Sequence, residues 1–262
     1  MRKVAMMQPT WMPWQGYFAL IYACDCFVFG DDYQFSPGSY HQRNRLFRNI
    51  GEVVWVTVPM QKQHSHGLPL NQSRICDDPP WREKTWKQIR QNYAAAPFFA
   101  QLGPVVRRWL LAPEESLAAQ NIAFTRLACE VMGIRREFRL SSWHPSSLSR
   151  SQRVVDLISW CEADSYLCAR GSFGYMKADG IFPSPGIDAL FQDFHPQPYP
   201  QVGASGTFVP YLSVLDALFN IGPDTTLERI VAGTGTWQTW DEMLADGGTT
   251  AIAGHDPCQE GA

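Results

Sequence analysis

Blocks of apolar residues and polar interruptions organise the first 35 residues. The apolar run Val4 to Met7 stops at Gln8-Pro9, because proline donates no backbone hydrogen bond and ends a strand. Trp14 to Ala23 places its apolar side chains on one helical face, and Cys26-Phe27-Val28-Phe29-Gly30 is a second apolar run of strand length. The pattern predicts a β-α-β opening with Gln8 beyond one strand and Asp31, Asp32 and Gln34 beyond the other. Polar residues there commonly line a ligand crevice. The competing account is that the aspartates and the proline only shape turns.

Further along, Val53 to Pro59 is a β-branched run that predicts a strand, after a polar, donor-rich piece from Ser39 to Leu46. Gln61 to Pro80 reads as a polar loop. Trp81 to Ala95 predicts a helix ended by Ala96-Pro97, and Pro113 opens a helix running to about Met132, closed by Gly133. A helix over Arg150 to Glu162 and a short strand over Ser165 to Ala169 follow, and Ile187 to Phe194 reads as a helix-strand transition. Ser213 caps a helix from Val214 to Asn220 with Gly222 past its end, and Thr225 with Glu228 has capping-box spacing. Strands alternating with helices predict an α/β fold, a mainly parallel sheet flanked by helices, with a helical insertion over about 81–133. The main domain spans 1–223, a helical extension 224–245, and a mobile tail 246–262.

The chain has 262 residues, a net charge of −3 and 18% charged residues, so no polyanion-binding character emerges. No stretch approaches the ~20 apolar residues of a membrane span, and the N-terminal apolar run breaks too early for a signal peptide. Seven cysteines without a Cys-x-x-Cys pair suit a reduced, cytoplasmic protein.

Nucleophilic catalysis finds little support: there is no Gly-x-Ser-x-Gly elbow, and Cys24, Cys26, Cys129, Cys161 and Cys168 sit in apolar surroundings that favour inert thiols. His64 and His66 form a half-site for a metal that no further Cys/His spacing completes. No metal or cofactor is expected. Gly171-Ser172-Phe173-Gly174 after a strand exposes backbone N–H groups to an anion, with Arg170 and Lys177 nearby. The run from Ser146 to Arg153 suits a helix cap first and a phosphate second.

Several ordered motifs combine into a resemblance. Gln8-Pro9-x-x-x-Pro13-Trp14-x-Gly16-Tyr17-Phe18, Asp31-Asp32-x-Gln34-Phe35, Arg43-Asn44-Arg45 and Trp55-x-Thr57-Val58-Pro59 come first. Trp81 with Lys84, Tyr93 with Ala96-Pro97-Phe98-Phe99, Gly171-x-x-Gly174-Tyr175, Pro198-Tyr199-x-Gln201, and Phe208 through Asp216 to Gly222 follow in order. Over residues 4–223 the chain resembles the WbqC-like protein family. Two positions depart from the pattern: Thr85 stands where a histidine is expected, and Arg170 where a serine is common. The opening is also similar to the His-x-Gly-His layout of the nucleotidylyltransferase-like (HUP) fold, with Trp14 and Tyr17 in place of both histidines.

The resemblance implies an enzyme of polysaccharide (O-antigen) or specialised-metabolite biosynthesis that transfers an acyl or aminoacyl group to an amine, forming an amide. Asp31, Asp32 and His41 become candidate catalytic residues, orienting or deprotonating the amine. Gln8, Trp14, Tyr17, Gln34, Arg43, Asn44, Arg45 and Lys84 become candidate substrate ligands, with Gly171, Gly174, Tyr175 and Lys177 for a second anion. Arg43 and Arg45 equally suit a buried ion-pair network with Asp31 or Asp32. Expected partners are a small-molecule substrate, nucleotide-linked or carrier-linked, with a carrier protein or an aminoacyl-tRNA as donor. The alternatives are a non-catalytic sugar- or nucleotide-binding accessory protein, and a hydrolase or lyase acting on a small amide.

Overall fold

Apolar strands alternate with helices along the chain, and a sheet covered by helices on both faces explains the architecture. In the computed structural model, which describes residues 1–78 and 80–247, β1 (Lys3–Met7), β2 (Cys26–Phe29), β5 (Glu137–Leu140), β6 (Ser165–Ala169) and β7 (Asp188–Phe194) run parallel. An antiparallel strand, β8 (Thr234–Thr239), pairs with β7 and completes the order β5-β2-β1-β6-β7-β8. Successive side chains point to opposite faces. Ala5, Phe27, Phe29 and Leu167 therefore enter one core, and Val4, Cys26, Val28, Tyr166 and Cys168 the other. The chain has the α/β fold with a mainly parallel sheet that its sequence predicts.

The first core is covered by α1 (Gln15–Ala23), α2 (Trp81–Tyr93), α3 (Phe99–Leu111), α4 (Leu117–Val131) and α7 (Val214–Gly233). The second lies under α5 (Arg150–Trp160), α6 (Phe173–Asp179) and α8 (Trp240–Ala245). The order of strands reverses between β1, whose next strand β2 lies on one side, and β6 on the other. Such a reversal opens a crevice beyond the strands' C-terminal ends.

Several expectations are adjusted. The donor-rich piece before Val53 contributes β3 (Arg43–Asn49), which pairs antiparallel with β4 (Glu52–Thr57) in a separate two-stranded sheet. Helix α3 lies where no helix is read from the sequence, and it holds Pro104 on its first turns. The next helix begins at Leu117 rather than Pro113, because the Ser116 side chain accepts a hydrogen bond from the Ala119 N–H at 3.1 Å and caps it. Ile187 to Phe194 holds a full strand, and the 224–245 stretch carries β8 between its helices. Most of the expected tail lies outside the described residues.

Helix α7 also holds a buried polar knot. The Asp216 carboxylate accepts hydrogen bonds from the Tyr93 hydroxyl at 2.9 Å, the Tyr199 hydroxyl at 2.7 Å and the Gln201 side chain at 2.7 Å. Asp216 is fully buried; burial pushes its carboxyl above the usual range, against the three donors that stabilise the charge. At Gly222 the helix kinks with φ 77, and a Cβ there would meet the Phe98 ring at 2.5 Å, so both the turn and the packing need glycine.

Replacing Asp216→Ala strands two buried hydroxyls and the half-buried Gln201 amide, and we expect a loss on the order of 3 kcal/mol in urea denaturation. Tyr93→Phe, which leaves two of the donors in place, should cost about 1–2 kcal/mol.

Candidate functional site

The Pro-rich elbow after β1 is held by its main chain. Asn44 Nδ2 donates to the carbonyls of Trp11 and Met12 at 3.0 and 2.8 Å, while its Oδ1 accepts the Arg45 N–H. Asn121, reaching from α4, donates to the carbonyls of Pro9 and His41 at 3.0 and 2.8 Å. The Val214 N–H closes the elbow onto α7 through the Pro13 carbonyl at 2.9 Å. Asn44 is thus occupied with structural hydrogen bonds.

Gln8 and His41 meet in this elbow. The Ser36 N–H donates to His41 Nδ1 at 3.3 Å, so the ring proton sits on Nε2, which faces Gln8 Oε1. His41 is 4% exposed, and burial lowers its pKa to about 4. The imidazole is neutral at pH 7 with both nitrogens engaged. Tyr17, also buried, donates its hydroxyl to the Gln8 carbonyl at 3.2 Å.

The two aspartates beyond β2 differ. Asp31 is buried, and its oxygens accept from the Ser141 hydroxyl (3.2 Å), the Ser142 N–H (3.0 Å), the Ser142 hydroxyl (2.7 Å) and Asn71 Nδ2 (3.2 Å). It ties the end of β2 to the turn after β5. Asp32 keeps a side chain 31% exposed, shares the single Ser141 hydroxyl proton with Asp31, and faces Arg153 Nη2 at 3.5 Å. Arg153, not Arg45, is the guanidinium beside this pair; it also donates to the carbonyls of Ser141 and His144 and pairs with Asp156. Ser141 and Ser142 did not emerge as site residues from the sequence, and Arg153 only as the end of a helix-cap or phosphate-binding run, since all three lie more than 100 positions from the aspartates they meet.

Helix α1 begins beside a half-buried indole. Trp14 packs against Phe194 and Tyr211, with ring centroids 5.2 and 5.3 Å apart. It lies over Gly16, where a Cβ would fall 2.3 Å from the ring, so only glycine fits beneath it. Arg45 donates to the carbonyls of Pro210 and Tyr211 at 3.5 and 3.2 Å. Two non-glycine residues with left-handed backbone, Met12 (φ 43) and Tyr211 (φ 60), flank the indole. Gln15, 5% exposed, keeps a buried Oε1 without a hydrogen-bond partner among the described residues. The α1 terminus has neither an acidic residue in its first turn nor a side-chain cap.

The remaining candidates are spread out. Gln34 is exposed and pairs by a backbone bridge with Pro69. Arg43 stacks over Trp55 at 4.4 Å. Gly171 lies in a single helical turn after β6, while Gly174, Tyr175 and Lys177 belong to α6. Burial pushes the Tyr175 hydroxyl up, and Lys177 faces the Phe173 ring at 5.9 Å. Arg170 is matched by Asp193 at 3.6 Å and Asp246 at 3.7 Å. Lys84 lies on α2, and the neighbouring Thr85 is buried. Among the described residues no three His, Cys, Asp or Glu side chains gather as a metal site, and no helix is long and apolar enough to cross a membrane.

The depressed pKa of His41 has a signed consequence. An unfolded histidine takes up its proton near pH 6.5 and the folded one only near 4, so this contribution to stability is full above 6.5 and is lost as pH falls toward 4. The loss amounts to roughly 3 kcal/mol. Urea denaturation from pH 7.5 to 4.5 should show it, and His41→Gln should flatten that part of the profile.

A curated relative, the uncharacterized protein Rv1507c of Mycobacterium tuberculosis, is 28% identical over 229 residues, covering 86% of this chain and 96% of its own length. No solved structure matches the chain significantly. The model of the WbqC-like protein family matches residues 8–228, from the elbow glutamine through the polar knot of α7. The chain belongs to the WbqC-like protein family.

Proposed function

We propose that this protein binds a small polar substrate at the start of α1 and transfers an acyl or aminoacyl group to its amine. The observation that carries the reading is the concentration of unusual backbone and unused polarity around Trp14. Left-handed Met12 and Tyr211 each cost on the order of 1–3 kcal/mol, and such conformations cluster at ligand sites. Beside them lie an uncapped helix terminus and an unpartnered buried amide oxygen on Gln15. Unshared N–H groups at a helix start favour negative charge.

The chemistry suits that arrangement. The amine nitrogen attacks the acyl carbonyl carbon, the new C–N bond forms, and the bond to the leaving group breaks. The developing oxyanion is stabilised by preorganised N–H donors, the role open to the α1 terminus. The proton lost by the amine needs a carboxylate that is not already saturated. Asp32, partly exposed, suits that role better than Asp31 with its four donors or His41 with both nitrogens engaged. The donor is a carrier-linked or transfer-RNA-linked acyl group, and the acceptor an amino sugar or metabolite amine in polysaccharide or specialised-metabolite synthesis.

One observation favours the non-catalytic reading. Asp31 and His41 are satisfied by the protein itself, which suits a binding module that presents a sugar or nucleotide to a pathway partner. Mass spectrometry of reactions pairing acyl thioesters or aminoacyl-tRNA with amino-sugar nucleotides separates the two. Amide product is expected, with Asp32→Asn lowering kcat by about 100-fold or more and Trp14→Ala raising KM. Ligand binding by calorimetry without any amide product would establish the binding module instead.

A further inference from the structure

Helices α2 and α3 enclose an open groove of about 590 Å³ on the helical layer. Its walls are Glu83, Lys84, Lys87 and Arg90 from α2 and Arg107 from α3, and Trp86 contributes an apolar floor. Lys84, Lys87 and Arg90 are exposed and have no carboxylate partner among the described residues. Arg107 faces Glu83 at 3.6 Å. The groove therefore gathers four cations and one carboxylate, on a chain whose net charge is −3. It shares no lining residue with the α1 terminus or the strand-end aspartates.

Three physical features define what fits. Like charges repel, and a cluster of cations with a single acidic neighbour is relieved by a compact anion. The volume falls in the range of about 300–1,000 Å³ typical of small-molecule clefts. The spacing of Lys84, Lys87 and Arg90 along α2 keeps the positive charge within two helical turns, far shorter than a polynucleotide track. Trp86 lies beneath, stacked on Phe99 with centroids 5.8 Å apart and planes 14° from parallel. An aromatic floor among cations suits an anion that also carries an apolar or aromatic portion.

We propose that the α2–α3 groove is a binding site for a diphosphate-bearing small molecule, its phosphates held by Lys84, Lys87 and Arg90. This inference does not depend on the transferase reading. Two sources carry the same chemistry, a nucleoside diphosphate and inorganic pyrophosphate. Isothermal titration at 20 mM salt with ADP, UDP and pyrophosphate distinguishes them. One-to-one binding is expected, weakening at least tenfold in Lys84→Gln/Lys87→Gln and falling as salt rises. Exposed substitutions of this kind leave folding intact, which circular dichroism verifies. Asp32→Asn should leave the affinity unchanged, separating the groove from the α1 site. Nucleotides binding more tightly than pyrophosphate assign the nucleoside, and equal binding assigns the diphosphate alone. No binding of any of the three below 1 mM, or binding insensitive to the groove variants, overturns the proposal. So does fluorescence anisotropy showing that only an oligonucleotide is retained.

Discussion

The buried carboxylate of Asp216 is the interaction on which the arrangement of the helical layer depends. It draws Tyr93 from the end of α2, and Tyr199 and Gln201 from the irregular segment before α7, onto one pair of oxygens. Its hydrogen-bond donors are the neutral side chains of Tyr93, Tyr199 and Gln201, so every donor matters. The same tyrosine hydroxyl accepts the Phe47 N–H, and Asn220 of α7 accepts the Val202 N–H. The small β3–β4 sheet is thus coupled to α7, and α7 in turn holds the elbow through Pro13 and Trp14. The candidate site at the start of α1 is thus tied to this knot.

Much of the fold was legible because doubly buried parallel strands leave a plain trace. Cys26 to Phe29 is apolar at every position, since each side of the sheet is covered. Helix α3 was not legible, because Gly103 and Pro104 interrupt a pattern that tertiary packing nonetheless makes helical. Strand β3, Arg-Asn-Arg-Leu-Phe-Arg-Asn, hid for another reason: Asn44 is buried to grip the elbow, so its polar character disguised an inward position.

The candidate site was legible in part, and the missing part is long-range. Gln8, Trp14, Asp31 and Asp32 stand at strand and helix ends as the β-α-β pattern requires. What no local pattern reveals is which of them is already satisfied. The hydroxyls of Ser141 and Ser142 and the guanidinium of Arg153 decide that, and they arrive from beyond the helical insertion. Asp216, Tyr199 and Gln201 carried a motif signal without any indication that they share one carboxylate. Lys84, a candidate substrate ligand by resemblance, lies on α2 at an open groove lined by Lys87, Arg90 and Arg107.

The grips on the elbow have a consequence for change over time. Asn44, Asn121 and Arg45 all hold carbonyl oxygens, of Trp11 and Met12, of Pro9 and His41, and of Pro210 and Tyr211. A carbonyl is the same whatever side chain its residue carries. These grips do not read side chains, so a half-buried residue such as Thr10 has room to vary, whereas Trp11 and Met12 are also held by the core. Such a scaffold can acquire new preferences one residue at a time while its framework stays put.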